Sequence, residues 1–201
     1  MDIHGNSVVL IIGVLVAALI AIAATFLYRK RQSQRLRDRF GAEYGRTVDQ
    51  LGSRAKAEAE LKARELRVKG LAIVALPPAE AARFSKAWGE LQSSFVDDPK
   101  AVVVKADQLV RELLLKRGYP IADFEHRAAD ISVDHPGVVL HYRAAQAITV
   151  RSERGEAGSD DPSTEELRKA VVHYRALFDE LLETKPSQSE RAEAPATLAV
   201  R

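Results

Sequence analysis

The chain has 201 residues, and its 30 basic and 28 acidic residues give a formal net charge of +2. It contains no cysteine, which excludes disulfides, thiolate metal sites and cysteine nucleophiles. Six of the basic residues lie in one block at 29–39, and two of the acidic residues, Asp2 and Asp38, also precede residue 41. Residues 41–201 therefore hold 24 basic and 26 acidic residues, a charge balance that argues against nucleic acid as a partner.

An apolar run opens the chain, since residues 3–28 contain no Asp, Glu, Lys or Arg. As a helix the run would be roughly 39 Å long, which exceeds the ~30 Å hydrocarbon core of a bilayer. We therefore predict a transmembrane anchor over 1–28. A cleaved secretory signal ending near Ala21-Ile22-Ala23 is the alternative, but the acidic start and the length of the run favour the uncut anchor.

Basic residues follow the run directly, whereas the short tail before it has none. Cytoplasmic flanks of membrane spans carry the excess of Lys and Arg. The asymmetry predicts a single-pass protein of the cell (inner) membrane, with its N-terminus outside and the rest of the chain in the cytoplasm. The same side chains are candidates for contact with the lipid bilayer surface and its anionic headgroups: Arg29, Lys30, Arg31, Arg35, Arg37 and Arg39.

Residues 29–70 are predicted to form a basic juxtamembrane segment and then a charged helical spacer. Residues 53–70 consist almost wholly of strong helix formers, with Ser53 as a candidate N-cap and Gly70 as the stop. The few larger apolar residues make no regular stripe, which predicts a solvated helix rather than a coiled coil.

The folded domain is predicted over 71–183, and it begins with an extended stretch because Pro77 disfavours helical angles before it. A first helix starts at Pro78. A second helix starts at Pro99, has Asp98 as its N-cap and ends at Gly118. Apolar residues at steps of three and four assign the buried faces of the two helices: Ala81, Phe84, Trp88, Leu91 and Phe95 in the first, and Val103, Ala106, Val110 and Leu113 or Leu114 in the second.

Two further helices are predicted, a short one over 122–130 and one that ends near Val150, with Ser132 or Asp134 as its cap. A polar loop covers 153–161. The capping box Ser163-Thr-Glu-Glu166 then opens a last helix, and the tail 184–201 is predicted to be disordered. The buried stripe of the last helix has heptad spacing: Leu167, Val171, Tyr174, Phe178 and Leu181.

The elements predict an all-α protein. It consists of an N-terminal single transmembrane helix, a charged helical spacer and a compact antiparallel bundle of about four to five helices.

Several short motifs carry a resemblance to a known family, among them Phe95-Val-Asp-Asp-Pro99 and Arg127-Ala-Ala-Asp-Ile-Ser-Val-Asp-His-Pro136. With residues 40–48, 106–110, 117–120 and 173–178, the chain resembles an uncharacterised family of bacterial single-pass membrane proteins with a C-terminal cytoplasmic helical domain. The resemblance implies a bacterial membrane protein of this architecture. It implies no activity, cofactor or catalytic residue.

One polar cluster is a candidate site. His126 and Asp130, four residues apart on a predicted helix, can face one metal ion, with His135 or His141 completing the set. The structural alternative is that Asp134 caps a helix, that His135 precedes the proline at its start, and that Asp130 pairs with Arg127 or another nearby arginine. The whole cluster comprises Arg127, Asp130, Asp134, His135, His141, Tyr142 and Arg143.

A repeated tetrapeptide, His141-Tyr-Arg-Ala144 and His173-Tyr-Arg-Ala176, forms the second candidate. Its functional interpretation is an anion or phosphopeptide pocket between two His/Tyr/Arg sets, which adds His173, Tyr174 and Arg175 to the cluster. Its structural interpretation is two amphipathic helices that bury their tyrosines.

The sequence contains no nucleophile elbow and no phosphate-binding loop. It therefore favours a non-enzymatic, membrane-anchored interaction or scaffold module with an unknown protein partner, and it predicts no cofactor. The alternative is a small-ligand or metal-dependent activity around Asp130, Asp134, His135 and His141. Self-association through the small residues Gly13, Ala17 and Ala21 of the span, which would give a homo-oligomer, is a third hypothesis.

Overall fold

The computed structural model describes residues 3–120, 122–154 and 161–182, with the backbone alone at 3–12 and 14. Every regular element in these ranges is a helix, so the predicted all-α fold class is confirmed. Residues 155–160 of the predicted loop and the whole predicted tail lie outside the described residues. The helices, in chain order, are α1 (Ile3–Phe40), α2 (Ala42–Leu51), α3 (Arg54–Lys69), α4 (Pro78–Ser93), a 3-10 turn (Ser94–Val96), α5 (Pro99–Lys116), α6 (Phe124–Asp134), α7 (Val139–Arg154) and α8 (Thr164–Leu182).

The chain forms two compact units, and the boundary between them falls after Glu58. In the first unit the last turns of α1 pack against α2, and Leu36, Phe40 and Tyr44 are buried there. Gly41 has a φ of +52°. Glycine tolerates this left-handed conformation, so it lets the chain break between α1 and α2.

The apolar part of α1 carries exposed large side chains. Within the described part of the chain, no helix is both long enough and apolar enough to cross a membrane. That finding does not support the anchor predicted over 1–28. Much of the predicted anchor, namely residues 1 and 2 and the side chains of 3–12 and 14, lies outside the described residues. The exposed apolar side chains of α1 are Leu15, Val16, Leu19, Ile20, Ile22, Phe26 and Leu27.

The second unit is a helical bundle in which α8 packs on both α5 and α7. All the predicted core positions of α5 and α8 are buried. In α4, Phe84 and Trp88 are buried, and the centroids of the Trp88 and Phe178 rings lie 4.5 Å apart. Ala81 and Leu91 of α4 are only half-buried, as is Phe95 in the 3-10 turn that follows. The apolar periodicity therefore predicted the buried faces of α5 and α8, but in the first predicted helix it was right only at Phe84 and Trp88.

Two of the predicted N-caps in this unit, Asp98 and Ser163, are confirmed. The Asp98 carboxylate accepts from the Ala101 backbone N–H at 3.0 Å at the start of α5. At the start of α8, the Ser163 N–H donates to Glu166 Oε2 at 2.9 Å and the Glu166 N–H donates to Ser163 Oγ at 3.3 Å. Each capping residue thus satisfies amide groups that the helix leaves without a partner.

The prediction that Ser132 or Asp134 caps the fourth helix of the domain is wrong. Both residues lie within α6, where Ser132 Oγ donates to the Ala129 carbonyl at 2.6 Å. α6 runs to the residue before His135, whose helical angles are disfavoured by the proline that follows it. α7 begins only at Val139, after a turn over 136–138.

The prediction of a solvated spacer helix needs a correction at α3. Leu61, Arg64 and Val68 are buried at steps of three and four, whereas Leu66 is 72% exposed. An arginine can cover apolar surface with its stem while its charged end reaches a partner, here Glu60 at 3.0 Å. One face of α3 therefore packs in the second unit.

The predicted extended stretch docks against the end of α5. The Val74 N–H donates to the Arg117 carbonyl at 2.9 Å, and Arg117 Nε donates to the Val74 carbonyl at 3.1 Å. The buried Arg117 also donates from Nη1 to the Leu181 carbonyl at 2.7 Å. This one guanidinium therefore joins the extended stretch, the end of α5 and the end of α8.

Candidate functional site

The structure separates the first candidate cluster into several pairs. Asp130 is buried on α6, and its Oδ1 accepts from both Nε and Nη2 of Arg67 at 2.7 Å. His126 instead has its Nδ1 2.6 Å from Asp123 Oδ2. Asp130 thus pairs with an arginine, as the structural alternative expects, but this arginine is Arg67 of α3, whereas Arg127 donates to Tyr142 and to the Ala122 carbonyl.

His135 lies at the C-terminal end of α6 and bonds to Glu180 of α8, with Nδ1 3.2 Å from Oε1. The neighbouring Asp134 is half-buried as the last residue of α6. Among the residues that the structure describes, no three His, Asp or Glu side chains come together in a group that can hold a metal ion. The metal site expected around Asp130, Asp134, His135 and His141 is therefore not assembled in the described part of the chain.

The repeated tetrapeptides do face each other across α7 and α8. His141 Nδ1 lies 2.9 Å from His173 Nδ1, and the rings of Tyr142 and Tyr174 meet edge to face with their centroids 6.2 Å apart. Burial lowers the pKa of His173, and the adjacent His141 lowers it further. At this distance only one of the two facing Nδ1 atoms can carry a proton, and the other accepts it in a hydrogen bond.

The arginines of the repeats bond to carboxylates instead of completing a shared anion pocket. Arg143 Nη1 donates to Glu125 at 2.6 Å, and Arg175 Nε donates to Asp179 at 2.7 Å. Both tyrosine rings are fully buried. The arrangement therefore matches the structural interpretation, two amphipathic helices that pack through their tyrosines.

The sequence analysis did not identify a buried polar network centred on Tyr174. The Tyr174 hydroxyl lies 2.8 Å from Thr149 Oγ1 and donates to Asp107 Oδ1 at 3.2 Å. Asp107 Oδ2 also pairs with Arg111 at 2.9 Å. Burial raises the pKa of the Asp107 carboxyl, while Arg111 and the Tyr174 hydroxyl oppose the rise. The available signal was the position of Asp107 within the apolar stripe of α5, next to Ala106.

A cavity of about 420 Å³ opens beside this network in the second unit. Polar and charged residues, Gln108, Arg111, Glu112 and Arg127, line it together with apolar ones, Leu114, Leu115 and Pro120. Arg127 is oriented by Nε, which donates to the Tyr142 hydroxyl at 3.2 Å, and by Nη1, which donates to the Ala122 carbonyl. Of the predicted cluster, only Arg127 lines this cavity. Its two cations outnumber the one carboxylate of Glu112 beside an apolar wall, which suits a small anion with an apolar part.

The first unit has a cavity of its own, of about 540 Å³, which we call the basic cavity. Three of the six residues predicted at the membrane surface, Arg29, Lys30 and Arg37, line it. Arg31 and Arg35 are exposed and do not line it, and Arg39 is half-buried. The remaining side chains that matter for its chemistry are Phe26, Ser33, Arg54 and Glu58.

Hydrogen bonds hold one wall of the basic cavity in place. Arg54 donates from Nε to the Tyr44 hydroxyl and from Nη2 to Ser33 Oγ, both at 3.0 Å. The Tyr44 hydroxyl in turn donates to Glu58 at 2.8 Å. Sequence reasoning missed Arg54 because it lies 21 residues from Ser33 along the chain and reaches the cavity only through the fold.

Comparisons of the chain with protein-family models, curated proteins and solved structures give no match. The resemblance to the bacterial family of single-pass membrane proteins therefore stays a prediction.

Proposed function

We propose that the protein is a membrane-anchored, non-enzymatic helical interaction module. Its N-terminal helix crosses the cell membrane once, and its helical bundle is presented to a protein partner on the cytoplasmic side. The observation that carries the proposal is the exposure of large apolar side chains along α1. A helix that is apolar all round is buried in a large core or in a membrane.

The exposed large side chains cover about half of the circumference of α1, and exposed alanines, Ala17, Ala18 and Ala21, lie on the rest. Leu15, Leu19 and Ile22 lie on one side, whereas Val16 and Ile20 lie about 100° further round the helix axis. Each large apolar side chain left in water forgoes about 1.5 to 3 kcal/mol of burial free energy. A lipid environment supplies that burial without a protein partner on each face. The basic residues after position 28 support a cytoplasmic location for the rest of the chain.

The non-enzymatic part of the proposal is supported by the bonds of the candidate polar residues. Asp130 bonds to Arg67, His135 to Glu180, and Arg143 to Glu125. Each bond joins residues far apart in the sequence, so each contributes to the packing of the bundle. A site for chemistry would instead direct such groups at a shared point in a cavity.

Membrane fractionation with alkaline carbonate extraction tests the anchor. We expect the full-length protein to stay in the pellet, and we expect a variant that begins at residue 29 to appear in the supernatant. Extraction of the full-length protein by carbonate, or a mature form that begins near Thr25, would contradict the anchor.

Elemental analysis and activity screening of the purified full-length protein test the non-enzymatic part. We expect no stoichiometric metal, and we expect His135→Ala and His141→Ala to change stability alone. A tightly held metal or cofactor that is lost in either variant would instead support the metal-dependent alternative.

A second candidate function is small-ligand binding, and the cavity beside Arg127 favours it. The ligand would be a small anion with an apolar part, bound by Arg111 and Arg127. A thermal-shift screen of aliphatic carboxylates is the test. A rise in melting temperature that Arg127→Gln abolishes and Arg168→Gln preserves would support this candidate, since Arg168 is exposed on α8 and does not line the cavity.

A further inference from the structure

The basic cavity carries an excess of positive charge. Four cationic side chains, those of Arg29, Lys30, Arg37 and Arg54, line it together with a single carboxylate, that of Glu58. Glu58 accepts from the Tyr44 hydroxyl at 2.8 Å and lies 3.4 Å from Arg54 Nε. Glu58 thus bonds to two residues of the wall, and the four cations of the lining outnumber this single carboxylate.

Arg54 is oriented for anion recognition. A guanidinium has five N–H donors in a fixed planar fork. Two of its nitrogens donate to Tyr44 and to Ser33, whose side chains are 6% and 8% exposed. The Arg54 side chain itself stays 55% exposed. Its remaining donors can bind a phosphate without the entropy cost of ordering the side chain, and arginine forks match phosphate geometry.

An apolar residue lies at one end of the cavity. Phe26 is 67% exposed and belongs to the last turns of the apolar run, while Arg29 and Lys30 follow it within about one helical turn. An amphiphile with an acyl part and a phosphate group fits this order of side chains. A free anion would use the cations but would leave Phe26 in water.

We propose that the basic cavity binds the phosphate headgroup of an anionic phospholipid, with Arg54, Arg29 and Lys30 as its ligands. This inference rests on the proposed membrane anchor, because the anchor places Phe26 at the edge of the hydrocarbon core. The proposed site differs from a general attraction between basic residues and a charged membrane in two ways. Arg54 lies far from the span in sequence but lines the cavity, whereas Arg31 and Arg35 lie beside the span but outside the cavity.

Lipid titration of the full-length protein in zwitterionic micelles, read by native mass spectrometry, tests the site. Phosphatidylglycerol is the probe, and phosphatidylcholine and inorganic phosphate are the comparison ligands. We expect phosphatidylglycerol to bind preferentially, and we expect Arg54→Gln to raise its dissociation constant by about tenfold, since it removes a charge-assisted hydrogen bond. Lys30→Gln should weaken binding without altering the bonds among Ser33, Tyr44 and Arg54.

Arg35→Gln is the matched control, because it removes the same charge from the same helix at a position outside the cavity. Equal weakening by Arg35→Gln and Arg54→Gln would overturn the proposal in favour of diffuse charge attraction. Competition by inorganic phosphate as strong as that by the lipid would overturn the lipid as the ligand. Carbonate extraction of the same protein is scored separately, so loss of the anchor and loss of the lipid site are distinct results.

Discussion

At the scale of single residues, the buried hydroxyl of Tyr174 explains how the bundle tolerates a carboxylate in its core. Asp107 is 5% exposed, and it shares Tyr174 with Thr149 while it pairs with Arg111. Burial of a charge is costly unless hydrogen bonds and an opposite charge compensate it. Here the compensation is incomplete, since the net effect of the surroundings is a raised pKa of the Asp107 carboxyl.

The raised pKa predicts a pH dependence that Asp107→Asn removes. A carboxyl whose pKa is higher in the folded state contributes stability that is fully present below its ordinary pKa of 3.8 and is lost as the pH rises through the folded value. We therefore expect the free energy of unfolding of the variant, relative to that of the unmodified protein, to increase as the pH rises above 3.8.

Urea unfolding in mild detergent, followed by the fluorescence of the single tryptophan, Trp88, measures this difference. Asp97→Asn is the control, because it removes an exposed carboxylate from the same unit. A difference for Asp107→Asn that does not change with pH would show that folding leaves the pKa of the Asp107 carboxyl unchanged.

Gly118 is a position at which the chain tolerates no side chain. Its φ is +94°, and a Cβ there would lie 2.2 Å from the Ala72 carbonyl oxygen. We expect Gly118→Ala to destabilise the second unit by at least about 2 kcal/mol, through backbone strain and loss of the contact between the extended stretch and α5. Gly89→Ala is the control, since α4 has open space there and alanine favours a helix by about 0.5 to 1 kcal/mol. Similar urea midpoints for the two variants would contradict the close approach.

At the scale of whole helices, the sequence predicted most reliably those faces that consist of large apolar residues. The stripes of α5 and α8 were correct because residues such as Val110 and Phe178 recur at steps of three and four. The buried face of α3 was missed because Arg64 occupies a core position that binary patterning treats as polar. The end of α6 was misplaced because Ser132 was interpreted as a cap, whereas the proline after His135 sets the limit.

Because one face of α3 is buried, we predict that two leucines of this helix contribute very differently to the free energy of unfolding. Leu61 is fully buried and Leu66 is 72% exposed. We expect Leu61→Ala to lower the free energy of unfolding by about 2 to 4 kcal/mol, because it opens a cavity in a packed interface. Leu66→Ala should change it by less than about 0.5 kcal/mol. Equal effects in urea unfolding would restore the interpretation of α3 as a solvated spacer.

At the scale of the whole molecule, the pairings that define the candidate sites depend on how helices pack, and periodicity does not specify this. Asp130 and Arg67 are 63 residues apart, and no local signal links them. The histidine pair is different, because the repeated tetrapeptide suggested that His141 and His173 face each other, and they do. Composition predicted a membrane edge at the basic block, a prediction that stays untested, and it could not show that Arg54 shares a cavity with Arg29 and Lys30.

The proposed topology depends on a charge difference between the two ends of one apolar run, so it predicts that reversing the difference inverts the protein. Each Lys or Arg near a span biases its flank towards the cytoplasm, whereas Asp and Glu contribute little. We expect a variant with Arg29, Lys30, Arg31 and Arg35 changed to Gln, and with Asp2 and Asn6 changed to Lys, to move its C-terminus outside. A C-terminal reporter enzyme that is active on only one side of the membrane measures the change. A variant with the same Gln substitutions but without the N-terminal lysines is the control. An unchanged orientation in both variants would mean that the bundle, and not the charge difference, determines the topology.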